Sequence, residues 1–158
     1  KRNAVSLEMW ERAQEILDDF QNDPEIRVVV LSGEGGKSFV SGADISEFES
    51  KRGTAEAQQH YNTQTAKVYE RIEQFPKPTI AMINGFCIGG GVAVSLSADI
   101  RIAADNARFA VPAARLGLGY GVGGTKRLLD IVGPAYAKEI FFTARQFDAP
   151  EAERMGAV

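Results

Sequence analysis

The stretch Pro76-Lys77-Pro78-Thr79-Ile80-Ala81-Met82-Ile83-Asn84-Gly85-Phe86-Cys87-Ile88-Gly89-Gly90-Gly91 decides the fold. Pro76 and Pro78 end any helix arriving from the N-terminal side, because a proline pushes the residue before it out of the helical region. Residues 79–83 then form a compact apolar run of strand length, and Asn84-Gly85 supplies a turn. Gly89-Gly90-Gly91 opens a helix of small residues over 92–97, where small side chains permit close packing. The unit reads strand, turn, helix.

Working outward, the same order recurs. Residues 26–31 are a β-branched run too short for a typical helix, and they end in Ser32-Gly33-Glu34-Gly35-Gly36, which predicts a buried strand meeting a loop. Before it, Leu7, Trp10, Ala13, Ile16, Leu17 and Phe20 recur at helical spacing, with Ser6 placed to cap and Asp23-Pro24 to stop the helix. A second helix is expected over 55–75 with Tyr61, Val68, Tyr69 and Ile72 inward. On the C-terminal side, strands are expected at 100–103 and 108–111 around a turn at Asp105-Asn106. A Gly-rich stretch at 117–124 then precedes helices at 125–132 and 135–144, punctuated by Gly133-Pro134. Alternating strands and helices argue for an α/β domain with parallel strands, whose loops at the strand ends carry the chemistry. Residues 1–4 lead straight into a helix and 151–158 stop inside another periodic segment, so neighbouring segments are expected to be missing at both ends.

The chain has 158 residues, 44% of them apolar, enough for one domain with a hydrophobic core. Its net charge of −3 is spread without a basic stripe, so nucleic acid is not an expected partner. Cys87 is the only cysteine, which rules out an intrachain disulfide and suits a reducing, cytoplasmic setting. No apolar run approaches the roughly 18 residues that cross a bilayer, so no membrane role is expected. One histidine and one cysteine cannot build the usual protein-ligated zinc site, and no metal is expected.

Three glycine clusters could each be read as a phosphate cradle. Gly36-Lys37-Ser38 imitates the end of a P-loop, but the first glycine of that motif would fall at Leu31. Gly119-Tyr120-Gly121-Val122-Gly123-Gly124 has G-x-G-x-x-G spacing, but no strand immediately precedes it. The informative pair is Ser41-Gly42-Ala43-Asp44-Ile45 after one strand and Asn84 to Gly91 after the next. Together with Arg2-Asn3-Ala4, Pro76 to Ala81, Ala98-Asp99-Ile100-Arg101-Ile102-Ala103 and Gly123-Gly124-Thr125-Lys126-Arg127-Leu128, this pair resembles the enoyl-CoA hydratase/isomerase (crotonase) family in order and spacing. The resemblance covers nearly the whole chain. It implies the crotonase-like (ClpP/crotonase) spiral of repeated ββα units over 1–158, without the family's first strand and C-terminal helical region.

The resemblance also implies an acyl-CoA thioester as substrate, with coenzyme A part of the substrate and no separate cofactor. Chemistry beside a thioester builds negative charge on its carbonyl oxygen, which two backbone N–H groups can hold without rearranging. By resemblance those donors are Ala43 and Gly90. Gly90 stands at a helix start, where unsatisfied N–H groups and the dipole favour an anion. Substrate contacts carried over in the same way are Arg2, Ala4, Ser41, Asp44, Ile45 and Gly89, with Ala113 and Leu116 lining the acyl pocket. A homo-oligomer, trimer or dimer of trimers, is implied as well.

Hydratases of this family use two glutamates to move protons, and here those positions are Ala93 and Ala113. A methyl group transfers no proton. Tyr120 is the replacement candidate that ranks first, since a phenol can donate one. His60 reads as a side chain on a polar helix face, Asp44 as a loop brace, Glu47 and Glu49 as solvated carboxylates, and Arg115 as surface or a reader of a substrate carboxylate. Three readings stand open: a hydratase/isomerase, a decarboxylase of a malonyl-type acyl-CoA, and a silent acyl-CoA binder.

Overall fold

The computed structural model describes residues 2–44 and 54–158. Helix α1 (Leu7–Asn22) is capped by Ser6, whose side chain accepts from the Met9 N–H, and is followed by β1 (Val29–Ser32) and β2 (Ser38–Val40). After α2 (Ala55–Glu73) come β3 (Thr79–Ile83), β4 (Phe86–Ile88) and α3 (Gly90–Ser97). Then follow β5 (Ile100–Ala103), β6 (Arg108–Ala110), the short α4 (Ala113–Leu116) and α5 (Val122–Thr143). Last come β7 (Phe147–Asp148) and α6 (Ala149–Met155).

The strands sort by position in each turn of the chain. First strands form one sheet in the order β1-β3-β5, and second strands form another in the order β2-β4-β6-β7. All pairs are parallel except β6 with β7. Each parallel return needs a crossover, so the ββα unit repeats along a spiral. The α/β, crotonase-like architecture expected from the sequence is present.

Several boundaries differ from the sequence reading. β1 begins at Val29, not residue 26, because ladder pairing begins with the Val29 N–H on the Pro78 carbonyl at 2.9 Å. β2, β4 and β7 were not expected: with two or three residues each they carry too little pattern to read. The two helices expected at 125–132 and 135–144 are present as the two limbs of α5, which meet at Gly133, whose φ of 76° and ψ of 168° leave the helix; the start differs, at Val122. Residues 151–158 are not one periodic run, since α6 closes at Met155 with Gly156 in the left-handed conformation.

The core lies between the sheets and helices, around Trp10, Val68, Phe39, Ile83 and Ile140. One polar clamp fixes a strand start inside it. Thr79 is fully buried; its N–H and hydroxyl both donate to Asp99 Oδ2, at 2.7 and 2.8 Å, and the Asp99 N–H donates to Thr79 Oγ1 at 2.9 Å. Among the described residues, no helix is long and apolar enough to cross a membrane.

Candidate functional site: two amides at adjoining strand ends

β2 and β4 are parallel neighbours with Val40 opposite Cys87. Three residues beyond this pair stand Ala43 and Gly90, the former three residues past the end of β2 and the latter two past the end of β4. The two segments lie close. A β carbon added at Gly91 would sit 2.3 Å from the Val40 carbonyl oxygen, and one at Gly42 would sit 3.5 Å from the Ile88 carbonyl oxygen. Only a residue without a side chain lets α3 start so near the β2 backbone.

Ala43 forms a parallel bridge with Val5. The Val5 N–H donates to Gly42 O at 2.9 Å, and the Asp44 N–H donates to Val5 O at 3.0 Å. In such a bridge the middle residue turns its own N–H and C=O to the other side, so the Ala43 amide points away from the 2–5 segment. Gly90 is the first residue of α3, and the opening N–H groups of a helix have no partner within it. The N–H before it is committed, since Gly89 donates to Ala110 O at 2.8 Å. Gly89 itself turns the chain at φ 54°, ψ −109°.

The other expected residues fall as follows. Arg2 is exposed, its guanidinium 5.6 Å from the Phe86 ring centroid. Arg2 and Asn3 both have positive φ. The turn is held by the Asn3 side-chain amide, which donates to Glu34 O at 2.9 Å and Ser38 O at 2.8 Å. Ala4, Ser41 and Ala43 are half-buried, and Asp44 is buried. Ile45, Glu47 and Glu49 lie outside the described residues. Ala113 is buried at the start of α4, whereas Leu116 is 60% exposed. Arg115 is exposed. His60 is exposed and pairs with Glu11 at 3.3 Å, on the α1–α2 surface.

Tyr120 folds back onto the site. A β carbon at Gly89 would lie 3.7 Å from its hydroxyl oxygen, and its ring meets Phe141 edge-on at 5.3 Å and 70°. Burial pushes the phenol above its ordinary pKa, although 38% of the residue is exposed; contact with Gly89 places the hydroxyl toward the protein. Ala93, Leu128 and Phe141 join Gly89 and Tyr120 around a recess of about 20 Å³ with almost wholly carbon walls. Cys87, beneath the same loop, is fully buried, and desolvation pushes its thiol up to about 12 while the Ser95 hydrogen bond opposes the shift. It is a packing group at neutral pH, with no thiolate to react.

Two residues of this site were not singled out by the sequence reading. A β carbon at Gly90 would meet the Tyr69 hydroxyl at 3.4 Å, so this phenol of α2, expected only to point inward, walls the Gly90 amide. Phe141 stands in α5 at helical spacing from buried Ala137 and gave no signal of being near a site. The juxtapositions arise from packing across long stretches of chain. Among the described residues, no group of three or more His, Cys, Asp or Glu could hold a metal.

Comparison with known proteins places this architecture. The family model for enoyl-CoA hydratase/isomerase matches residues 1–158. The chain is 43% identical over 156 residues to the short-chain-enoyl-CoA hydratase of Clostridium acetobutylicum, covering 99% of this chain and 59% of that protein. It is 39% identical to the crotonyl-CoA hydratase of Syntrophomonas wolfei, with the same coverage. The crystal structure of enoyl-CoA hydratase from Bacillus anthracis superposes with a TM-score of 0.93 at 38% identity, over 99% of this chain and 60% of that one. The chain therefore spans about three-fifths of the length of the curated relatives it matches. Agreement of sequence over the whole chain and of structure in every turn of the spiral means that this chain belongs to the enoyl-CoA hydratase/isomerase family.

Proposed function

We propose that the chain processes an acyl-CoA thioester by holding its carbonyl oxygen between the N–H groups of Ala43 and Gly90, so that an enolate-like species is stabilised. The observation that carries this reading is the matched offset: both amides lie three residues past a register pair of parallel neighbours. The Ala43 amide turns away from its bridge partner, and the Gly90 amide opens a helix. Such donors are fixed before reaction, and each supplies about 3 kcal/mol to a developing oxyanion. Arg2, Ala4, Ser41, Asp44, Ile45 and Gly89 would bound the thioester, with Ala113 and Leu116 along the acyl group. The family's relatives support an acyl-CoA substrate, since those named above are hydratases of enoyl- and crotonyl-CoA. We place the working form in a homo-oligomer, a trimer or dimer of trimers, and in the cytoplasm. No separate cofactor or metal is part of the proposal.

A second reading is favoured by one observation. At the positions of the two hydratase glutamates stand Ala93 and Ala113, and the recess beside Ala93 offers a single titratable side chain, Tyr120. Decarboxylation of a malonyl-type thioester needs little more. The bond from the α carbon to the carboxylate breaks, its electron pair becomes the enolate, CO₂ leaves, and the α carbon takes a proton from the Tyr120 phenol or from water. Mass spectrometry of enoyl-, malonyl- and saturated acyl-CoA thioesters incubated with the protein in heavy water separates the readings. Addition of water identifies a hydratase and loss of CO₂ a decarboxylase. Binding without turnover or α-proton exchange identifies a silent binder, and no binding at all overturns the thioester reading.

A further inference from the structure

The carbon-walled recess lies on the Gly90 side of α3. Ala93 stands three residues past Gly90, hence about one helical turn along the same face. Gly89, Tyr120, Leu128 and Phe141 line the recess with Ala93. The recess opens to the surface on one side, and its volume of about 20 Å³ admits one water-sized group against walls that are almost wholly carbon. A methyl group placed there gains contacts with these carbon walls.

Resting on the thioester reading above, we infer that this recess receives the substituent on the α carbon of the acyl group, that it fits a group of methyl size, and that Phe141 sets that limit. A thioester whose oxygen is held at Gly90 carries its α carbon one bond from the carbonyl carbon, within reach of the Gly89–Ala93 side of the helix. Phe141 is the deciding wall because it holds two surfaces at once, the floor of the recess and the edge of the Tyr120 ring. It is a specificity-determining residue and takes no part in proton transfer.

The test measures equilibrium binding of butyryl-CoA, 2-methylbutyryl-CoA and 2-ethylbutyryl-CoA to the full chain, by calorimetry. The unaltered protein is expected to bind the 2-methyl thioester about tenfold tighter than the unsubstituted one and to lose that gain with the 2-ethyl thioester, as one methylene in an apolar pocket shifts affinity by about tenfold or more. Phe141→Leu and Phe141→Ala are expected to move the preference to the 2-ethyl thioester. Ala93→Leu, which fills the recess from the other side, is expected to abolish the methyl gain. Should Phe141→Ala fail to fold, Phe141→Leu and Ala93→Leu make the same comparison. Equal binding of all three thioesters, or an order unmoved by these substitutions, overturns the inference while leaving the thioester reading standing. Failure of every thioester to bind overturns that reading and the inference with it.

Discussion

Gly90 separates stability from activity more sharply than other residues of the site. Its φ is not in the left-handed region, so Gly90→Ala suits a helix and should hold or raise stability by up to about 1 kcal/mol. The new methyl would stand 3.4 Å from the Tyr69 hydroxyl, in the space assigned to the thioester oxygen in the proposed function. We expect kcat/KM on the productive thioester to fall about 10²-fold with an unchanged or higher Tm, measured by steady-state kinetics and thermal denaturation. Tyr120→Phe is expected to lower kcat about 10²-fold while KM stays nearly constant, if the phenol delivers the proton. Because burial raises its pKa, the phenol keeps its proton past the ordinary range, so the alkaline fall in rate should begin above that range and vanish in the Phe variant. Installing both carboxylates, Ala93→Glu with Ala113→Glu, is expected to raise enoyl-CoA hydration by about 10²-fold or more. Unchanged hydration would show that these positions do not face the reacting carbons.

At the level of elements, a buried polar clamp ties β3 to the α3–β5 junction. Asp99→Ala leaves the buried Thr79 N–H and hydroxyl without their acceptor, and we expect a loss of about 1 to 3 kcal/mol in urea unfolding, with the m-value unchanged. Asp99→Asn should recover part of it. The same junction marks how far the sequence could be read. β3 and β5 announced themselves, since Thr79 to Ile83 is a compact, mainly apolar run after Pro78 and Ile100 to Ala103 alternates isoleucine with Arg101 before the turn at Asp105-Asn106. α1 was legible from Ser6 and its apolar spacing. β2 and β4 were not, although they carry the site: three residues beside glycines have no period, and their pairing joins Val40 to a partner 47 positions away. The residue types at Ala43 and Gly90 could be matched to a family motif, but the nearness of Tyr69, Tyr120 and Phe141 depends on packing among α2, α3 and α5. No local pattern encodes it.

For the molecule as a whole, the three-stranded sheet keeps one apolar face open. Register places Val30, Ile80 and Ile100 in one row and Ser32, Met82 and Ile102 in the next. Val30, Met82, Ile100 and Ile102 are each half or more exposed, at 50%, 52%, 50% and 56%. A contiguous patch of this kind promotes association. Sedimentation velocity over a concentration series should show the chain self-associating, and Ile102→Lys should remove most of the concentration dependence while leaving the fold unchanged by circular dichroism. The Ala43 and Gly90 segments carry a different constraint. Gly42 at φ 108° and Gly89 at φ 54° bend the two spans from Val40 to Ala43 and from Cys87 to Gly90, so a one-residue insertion or deletion in either would displace its amide from the proposed oxygen position. Under the proposed function, the lengths of these two spans matter more than the side chains they carry, because the donors are main-chain groups.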